Sequence, residues 1–394
     1  MALWKTIAVL ANVEASEAIE GGQAAFVPTD DPRVQEIDKK YRRHRNFLRR
    51  FTDAFGVERR PTVLLVRSDA SPHITTADAL VSFRDVLSVS VVPRSRARSI
   101  RNDNSLGIYY SKAFEFYPWV LGKDYKDLIA VTPSMIAIHS VKKFRGQVAP
   151  EISGAKFSST DLDQTLFDEL TKRWRKSYRS RKPEWENVAL MRSLSMAHQA
   201  SQLPAPIATT VLDYGRLAAL WVSAFEHLVN PGPSGGGYAN QRKVYKLLEK
   251  APWKMTENRT RNLKCWISKE KKTFVRRPLP SWLYHQLNDA RNDFLHGNPI
   301  QKRPLHIPGS ELNLLNFAAP LYRMALTSFL DLQWKGEFPL KADAKAFARA
   351  VGERQEFDFH QHDFEVALAM SRGYEPGHAV ARRERRLRRA KAAL

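Results

Sequence analysis

The chain is 394 residues long, which at ~100–200 residues per domain points to two or three domains. Hydrophobic residues make up 43% and charged residues 26%, enough apolar material for a real core, so wholesale disorder is excluded. Lys and Arg total 63 against 41 Asp and Glu, and the net charge of +22 suits a polyanionic partner: nucleic acid or an anionic surface. One cysteine, Cys265, excludes an internal disulfide framework and a multi-cysteine cluster and fits a reducing, cytoplasmic compartment. No apolar run reaches the ~18 residues of a membrane span, so no membrane association is expected. The opening stretch alternates like a strand and soon turns acidic, which reads against a signal peptide.

The overall reading is α+β. Residues 1–160 predict a mixed α/β domain of unknown role. Lys5–Val13 reads as a strand, and Pro32–Phe55 as a helix opening after Thr29-Asp30-Asp31. Thr62–Arg67 is a short apolar run suited to a buried strand. Thr75–Val86 reads as a helix and Leu87–Val92 as a strand. Two β-rich stretches, Gly107–Leu121 and Leu128–His139, follow.

Residues 161–182 predict a basic linker helix between domains. Leu162, Leu166, Leu170 and Trp174 make an apolar stripe. Its basic end nominates Arg173, Arg175 and Lys176 as phosphate contacts. Trp174 and Tyr178 could stack on bases, but their spacing with Leu166 and Leu170 favours core.

Residues 183–335 read as helical: Trp185–Ser201, Ile207–Val229, Arg242–Lys250, Pro280–His296 and Glu311–Gln333, with residues 251–278 basic and poorly patterned. The last part, 336–394, predicts a helical basic extension of short helices. Its end carries Arg382, Arg383 and Arg386 among seven cations against one acid, a candidate nonspecific phosphate-binding tail.

The densest chemistry lies between Leu283 and Gly297. On a helix, Leu283, Leu287, Ala290 and Phe294 fall within about 60° of one another and define a buried face. His285, Asn288, Asn292 and His296 form a polar stripe on the opposite side, read as non-core. Two His and two Asn are unusual on a solvated face, where Lys and Glu are commoner.

Arg291-Asn292-x-x-x-His296 resembles the Arg-polar-x-x-x-His motif of HEPN domains, helical proteins many of which are metal-independent ribonucleases. "ARNDFLHG" is most similar to the Apea-like branch of bacterial defence proteins. Phe225-Glu226-His227-Leu228 is similar to the hydrophobic-Glu-hydrophobic end of that branch's preceding helix. The resemblance covers residues 183–335 and implies an all-α helical bundle and an endoribonuclease leaving a 2′,3′-cyclic phosphate, active in antiphage defence or growth arrest. It extends to no part of residues 1–160, where "VRSDAS" lacks the Gly-Ser pair of the nucleotidyltransferases that often neighbour HEPN proteins.

The residues support that chemistry on their own terms. An imidazole gives or takes a proton near neutrality, and a guanidinium grips phosphate. Arg291 and His296 are the expected catalytic pair; Asn292 would orient the imidazole and Glu226 would hold Arg291. Neither metal nor cofactor is expected. Five residues apart on one helix, Arg291 and His296 diverge by about 140°, so a site composite across a homodimer is favoured. The partners expected are RNA and a second copy of the chain, with a phage-derived or cellular trigger sensed by the N-terminal domain. The alternative is a catalytically silent RNA-binding or scaffolding dimer. Two further candidates are weak: His360, His362 and Asp363 read as a polar turn before a metal site, and Cys265 as a semi-buried thiol before a nucleophile.

Overall fold

Alternating and continuous apolar runs build the first sheet. Strands β1 (Trp4–Leu10), β2 (Val13–Ala15), β3 (Ile19–Glu20) and β4 (Ala24–Val27) precede helices α1 (Pro32–Lys40) and α2 (Arg42–Leu48). β5 (Phe51–Thr52), β6 (Thr62–Arg67) and the long helix α3 (Ala77–Ile100) come next. Three of these strands and the β3 hairpin arm form one antiparallel sheet in the order β1-β6-β4-β3, with a register shift between Thr6 and Ala8. The computed structural model describes residues 4–101, 107–132, 135–152, 155–179, 182–202, 210–233, 235, 238–268, 270–298, 305–333 and 344–375.

A meander of β7 (Trp119–Leu121), β8 (Asp127–Thr132) and β9 (Met135–Ser140) follows. β10 (Gly146–Gln147) pairs in parallel with β5, and β11 (Ala155–Phe157) with β2. Helices α4 (Gln164–Arg179) and α5 (Trp185–Ala200) complete the first of two compact units, which holds residues 1–92 and 106–208. Its core joins Val9, Val27, Val63 and Leu65 of the sheet to Phe47, Phe51 and Phe144.

The expected linker helix is therefore part of this unit. Trp174 is wholly buried, donates from Nε1 to the Ala79 carbonyl at 2.7 Å and packs 4.7 Å from Phe83. The basic residues that suggested a linker occupy only the outer stripe of an amphipathic helix. Helix α5, assigned by sequence to the following domain, packs against α4 in the same unit.

Two further expectations change. The predicted helix over 32–55 is broken at Tyr41, whose extended backbone lets His44 and Phe47 turn into the core. Buried His44 bonds Thr6 Oγ1 at 2.8 Å and Asp38 Oδ1 at 2.6 Å. The predicted strand over 87–92 is helix: α3 runs unbroken through Pro93. Val86, Leu87, Val89, Val91 and Val92 are all buried, so no polar face marks the helical period.

The second unit holds residues 93–105 and 209–394. Its elements are α6 (Val211–Leu228), α7 (Gln241–Lys250), α8 (Thr256–Arg259), β12 (Leu263–Ser268), β13 (Thr273–Arg277), α9 (Leu279–Leu295), α10 (Leu315–Leu330) and α11 (Ala344–Met370). It is helical with one addition: the stretch read as unpatterned forms the antiparallel hairpin β12–β13. α9 is central, packing against α6, α7, α10 and β12. The C-terminal part is no string of short helices. α11 is one 27-residue helix that buries Phe364, Ala367 and Leu368. Its Glu365 carboxylate accepts the backbone N–H groups of Lys254 and Met255, just ahead of α8. The predicted basic end of this extension, residues 382–391, lies outside the described residues. Among the described residues, no helix is long and apolar enough to cross a membrane.

Candidate active site

Helix α6 starts at a capping box in which Thr210 and Asp213 satisfy each other's orphan groups. It buries Leu217, Trp221, Phe225 and Leu228. α6 and α9 meet almost backbone to side chain. A Cβ built at Gly215 would lie 2.3 Å from the Phe294 ring, so glycine is required for this approach. At the other end of α9, Glu249 Oε1 accepts from Ser281 Oγ and Arg277 Nη1, each at 3.1 Å. That places a negative charge near the positive end of the helix.

The C-terminus of α9 is a Schellman stop. Asn298 N–H donates to the Asp293 carbonyl at 3.0 Å and Gly297 N–H to that of Phe294 at 3.4 Å, with Gly297 at φ +67°. His296 is the cap residue and its ring is exposed.

Arg291 and Glu226 do come together. Arg291 Nη2 lies 3.7 Å from Glu226 Oε2, and both side chains are about three-quarters buried. Burial pushes the Glu226 carboxyl above its ordinary range, and the Arg291 charge pulls it back. Arg291 Nη1 also donates to Asn292 Oδ1 at 3.0 Å. The Asn292 amide is therefore fixed to its neighbour, and the expected orientation of the His296 ring by Asn292 is not found. Among the described residues, neither Arg291 nor His296 bonds the other, as the helical divergence requires.

Sequence reasoning missed Tyr284 beside this pair. It is fully buried, 5.2 Å from Phe225 and 5.9 Å from Tyr245, and its hydroxyl has no hydrogen-bond partner among the described residues. Burial, reinforced by Glu226, drives its ionisation far above the ordinary range, so it stays neutral.

The polar stripe is not a single exposed face. His285 and Asn288 are buried, Asn292 is intermediate and of the four only His296 is exposed. α9 has neighbours all round, so lying opposite the Leu283 face does not mean facing water. His285 Nδ1 bonds Gln241 Nε2 at 3.1 Å and Tyr245 Oη at 3.0 Å, while its Nε2 lies 3.6 Å from Asp289. With the Gln241 amide donating, the network assigns the ring proton to Nε2.

A recess of about 530 Å³ opens between α7, the hairpin and α9. Arg242, Trp266, Arg277, His285, Asp289 and Asn292 are among its walls. Nothing in the local sequence joins α7 and the hairpin to the motif helix, so this recess was invisible before folding. Cys265 also lines it, buried, with its thiol pushed up to about 12 by burial. A protonated thiol is no nucleophile at neutral pH.

Other sequence candidates separate. Arg173 is held by Glu169 at 3.2 Å and Glu186 at 2.9 Å, so its guanidinium is engaged within the fold. Arg175 and Lys176 are exposed on α4. Arg382, Arg383 and Arg386 lie outside the described residues. Asp363 pairs with Arg101 and His360 is buried. Among the described residues, no group of three or more His, Cys, Asp or Glu is placed to hold a metal. No family model matches the chain, no curated protein matches its sequence, and no solved structure matches its fold.

Proposed function

We propose that the second unit is an RNA-cleaving module of the HEPN type, acting as a homodimer in the cytoplasm in antiphage defence or growth arrest. The supporting observation is the Glu226–Arg291 pair at the end of α9, one turn from an exposed imidazole at the helix stop. In this reading Arg291 meets the non-bridging oxygens of the scissile phosphate and stabilises the charge of the phosphorane. His296 takes the proton of the 2′-OH as that oxygen attacks phosphorus, or returns one to the departing 5′-oxygen. The products are a 2′,3′-cyclic phosphate and a 5′-hydroxyl. Glu226 is a positioning residue that fixes the guanidinium.

Each chain supplies an Arg and a His aimed apart, and a two-fold partner would supply the complement. The first unit would then sense the trigger, phage-derived or cellular. One observation favours the silent RNA-binding or scaffolding alternative: within one chain, Arg291 is already engaged by Glu226 and Asn292.

The test is purified protein with single-stranded RNA in EDTA. His296→Ala and Arg291→Ala should each lose at least ~10²-fold in cleavage rate, the scale of a general acid–base group. Mixing the two variants should restore part of the activity if the site is composite. Full activity in both variants would place cleavage elsewhere and remove this reading.

A further inference from the structure

The β12–β13 hairpin has two chemically different faces. Lys264 stands opposite Arg276, and Trp266 opposite Phe274, so these four share one face. Cys265, Val275 and Arg277 belong to the other, where Cys265 is buried and Arg277 lies 3.8 Å above the Tyr245 ring and 3.1 Å from Glu249. The inner face thus fastens the ribbon to α7.

The outer face is partly open to solvent. Trp266 is 36% and Phe274 37% exposed, and their rings meet edge to face at 5.5 Å. Lys264 Nζ sits 4.7 Å from the Phe274 ring and Arg276 lies 5.9 Å from it. Lys271 and Lys272 add charge at the turn, against Glu270 alone. Among the described residues, none of these four cations has a carboxylate partner. A cross-strand aromatic pair left partly open and flanked by cations gains the fold less than a buried pair would, because part of its apolar area stays wet.

We propose that this outer face is a docking platform for single-stranded RNA. The proposal rests on the RNA reading of the same unit and names where the substrate strand lies. Bases of any sequence stack on Trp266 and Phe274, while Lys264 and Arg276 hold the backbone phosphates. Charge excludes a basic partner and selects a polyanion. A duplex fits poorly, since the major groove of A-form RNA is too deep and narrow for side chains to read, and paired bases hide their faces. The recess behind the ribbon has Trp266 in one wall and Asn292 in another, so a strand on the platform has a path to the motif helix.

The probe is a fluorescent 2′-O-methyl oligouridylate, which lacks the nucleophile for cleavage, titrated into the full chain carrying His296→Ala. Trp266→Ala with Phe274→Ala should weaken binding at least ~10-fold. Lys264→Gln with Arg276→Gln should lower the salt slope of log K by roughly 1.4, the share of two phosphate contacts on a single strand. Trp266→Phe should keep most of the affinity, which separates lost stacking from a disordered ribbon; circular dichroism checks the fold of each variant. Unchanged affinity in the folded aromatic variant overturns the platform, as does equal affinity for a duplex of the same length. Failure of the nuclease reading looks different: the platform variants still lose binding while wild-type protein leaves natural RNA intact.

Discussion

Two clusters of charge in this protein look alike on paper and differ in access. In the first unit, Arg84 donates twice to Asp85 Oδ1, at 3.0 and 2.6 Å, and His198 Nδ1 lies 3.5 Å from the same oxygen. Asp85 and His198 are each 1% exposed. Burial drives the Asp85 carboxyl up and the His198 imidazole well down, so both lean toward neutrality. In the second unit, Glu226 and Arg291 are partly open and the nearby imidazole is exposed. An acid, an Arg and a His in proximity are thus not a site by themselves. The sealed cluster is closed to solvent, and the open one has the route to a substrate.

Cutting each cluster at one residue should separate the two most strongly. Arg84→Ala strands a buried carboxylate and should destabilise the protein by about 3 kcal/mol. Glu226→Gln removes a partly open ion pair at 3.7 Å and should change stability by no more than about 1 kcal/mol, while lowering any cleavage that depends on Arg291. Urea unfolding followed by tryptophan fluorescence measures both. Equal losses would mean the two clusters carry the same structural burden.

Acid should separate the clusters next. The folded pKa of His198 lies below its unfolded value, so its contribution is present above about pH 6.5 and is lost as pH falls below it. One proton allows a slope of at most about 1.4 kcal/mol per pH unit. His198→Gln should flatten the stability loss between about pH 6.5 and about pH 5. An identical slope in the variant would assign the acid sensitivity to other groups.

The smallest effect is expected at Tyr284. Its hydroxyl is buried without a partner among the described residues, so Tyr284→Phe should leave stability unchanged or raise it by up to about 1 kcal/mol. A clear loss would reveal a hydrogen bond that this hydroxyl makes in solution.

What was legible in the sequence follows the same distinction between covered and uncovered surfaces. The helix over Ile207–Val229 and the Leu283–Leu287–Ala290 face of α9 were readable because each helix has at least one polar side over part of its length. The pairing of Glu226 with Arg291 was anticipated through the motif. The strand assigned to 87–92 failed because α3 is buried all round there and β-branched residues dominate. His285 and Asn288 were placed outside for the converse reason: the helices and hairpin that cover them come from distant sequence. The ribbon went unread because most of it faces solvent, which leaves little alternation in burial to shape its pattern. The boundary after α4 was misjudged because surface charge was taken for a linker while Trp174 was filling the core.

The contact between Gly215 and Phe294 carries a consequence for how this protein can vary. Every single substitution at position 215 adds at least a Cβ where an aromatic ring already stands. Position 215 therefore has almost no neutral neighbours in sequence space unless residue 294 shrinks at the same time. The two positions are bound to drift as a pair, and the spacing of α6 from α9, on which the meeting of Glu226 with Arg291 depends, is inherited as one unit.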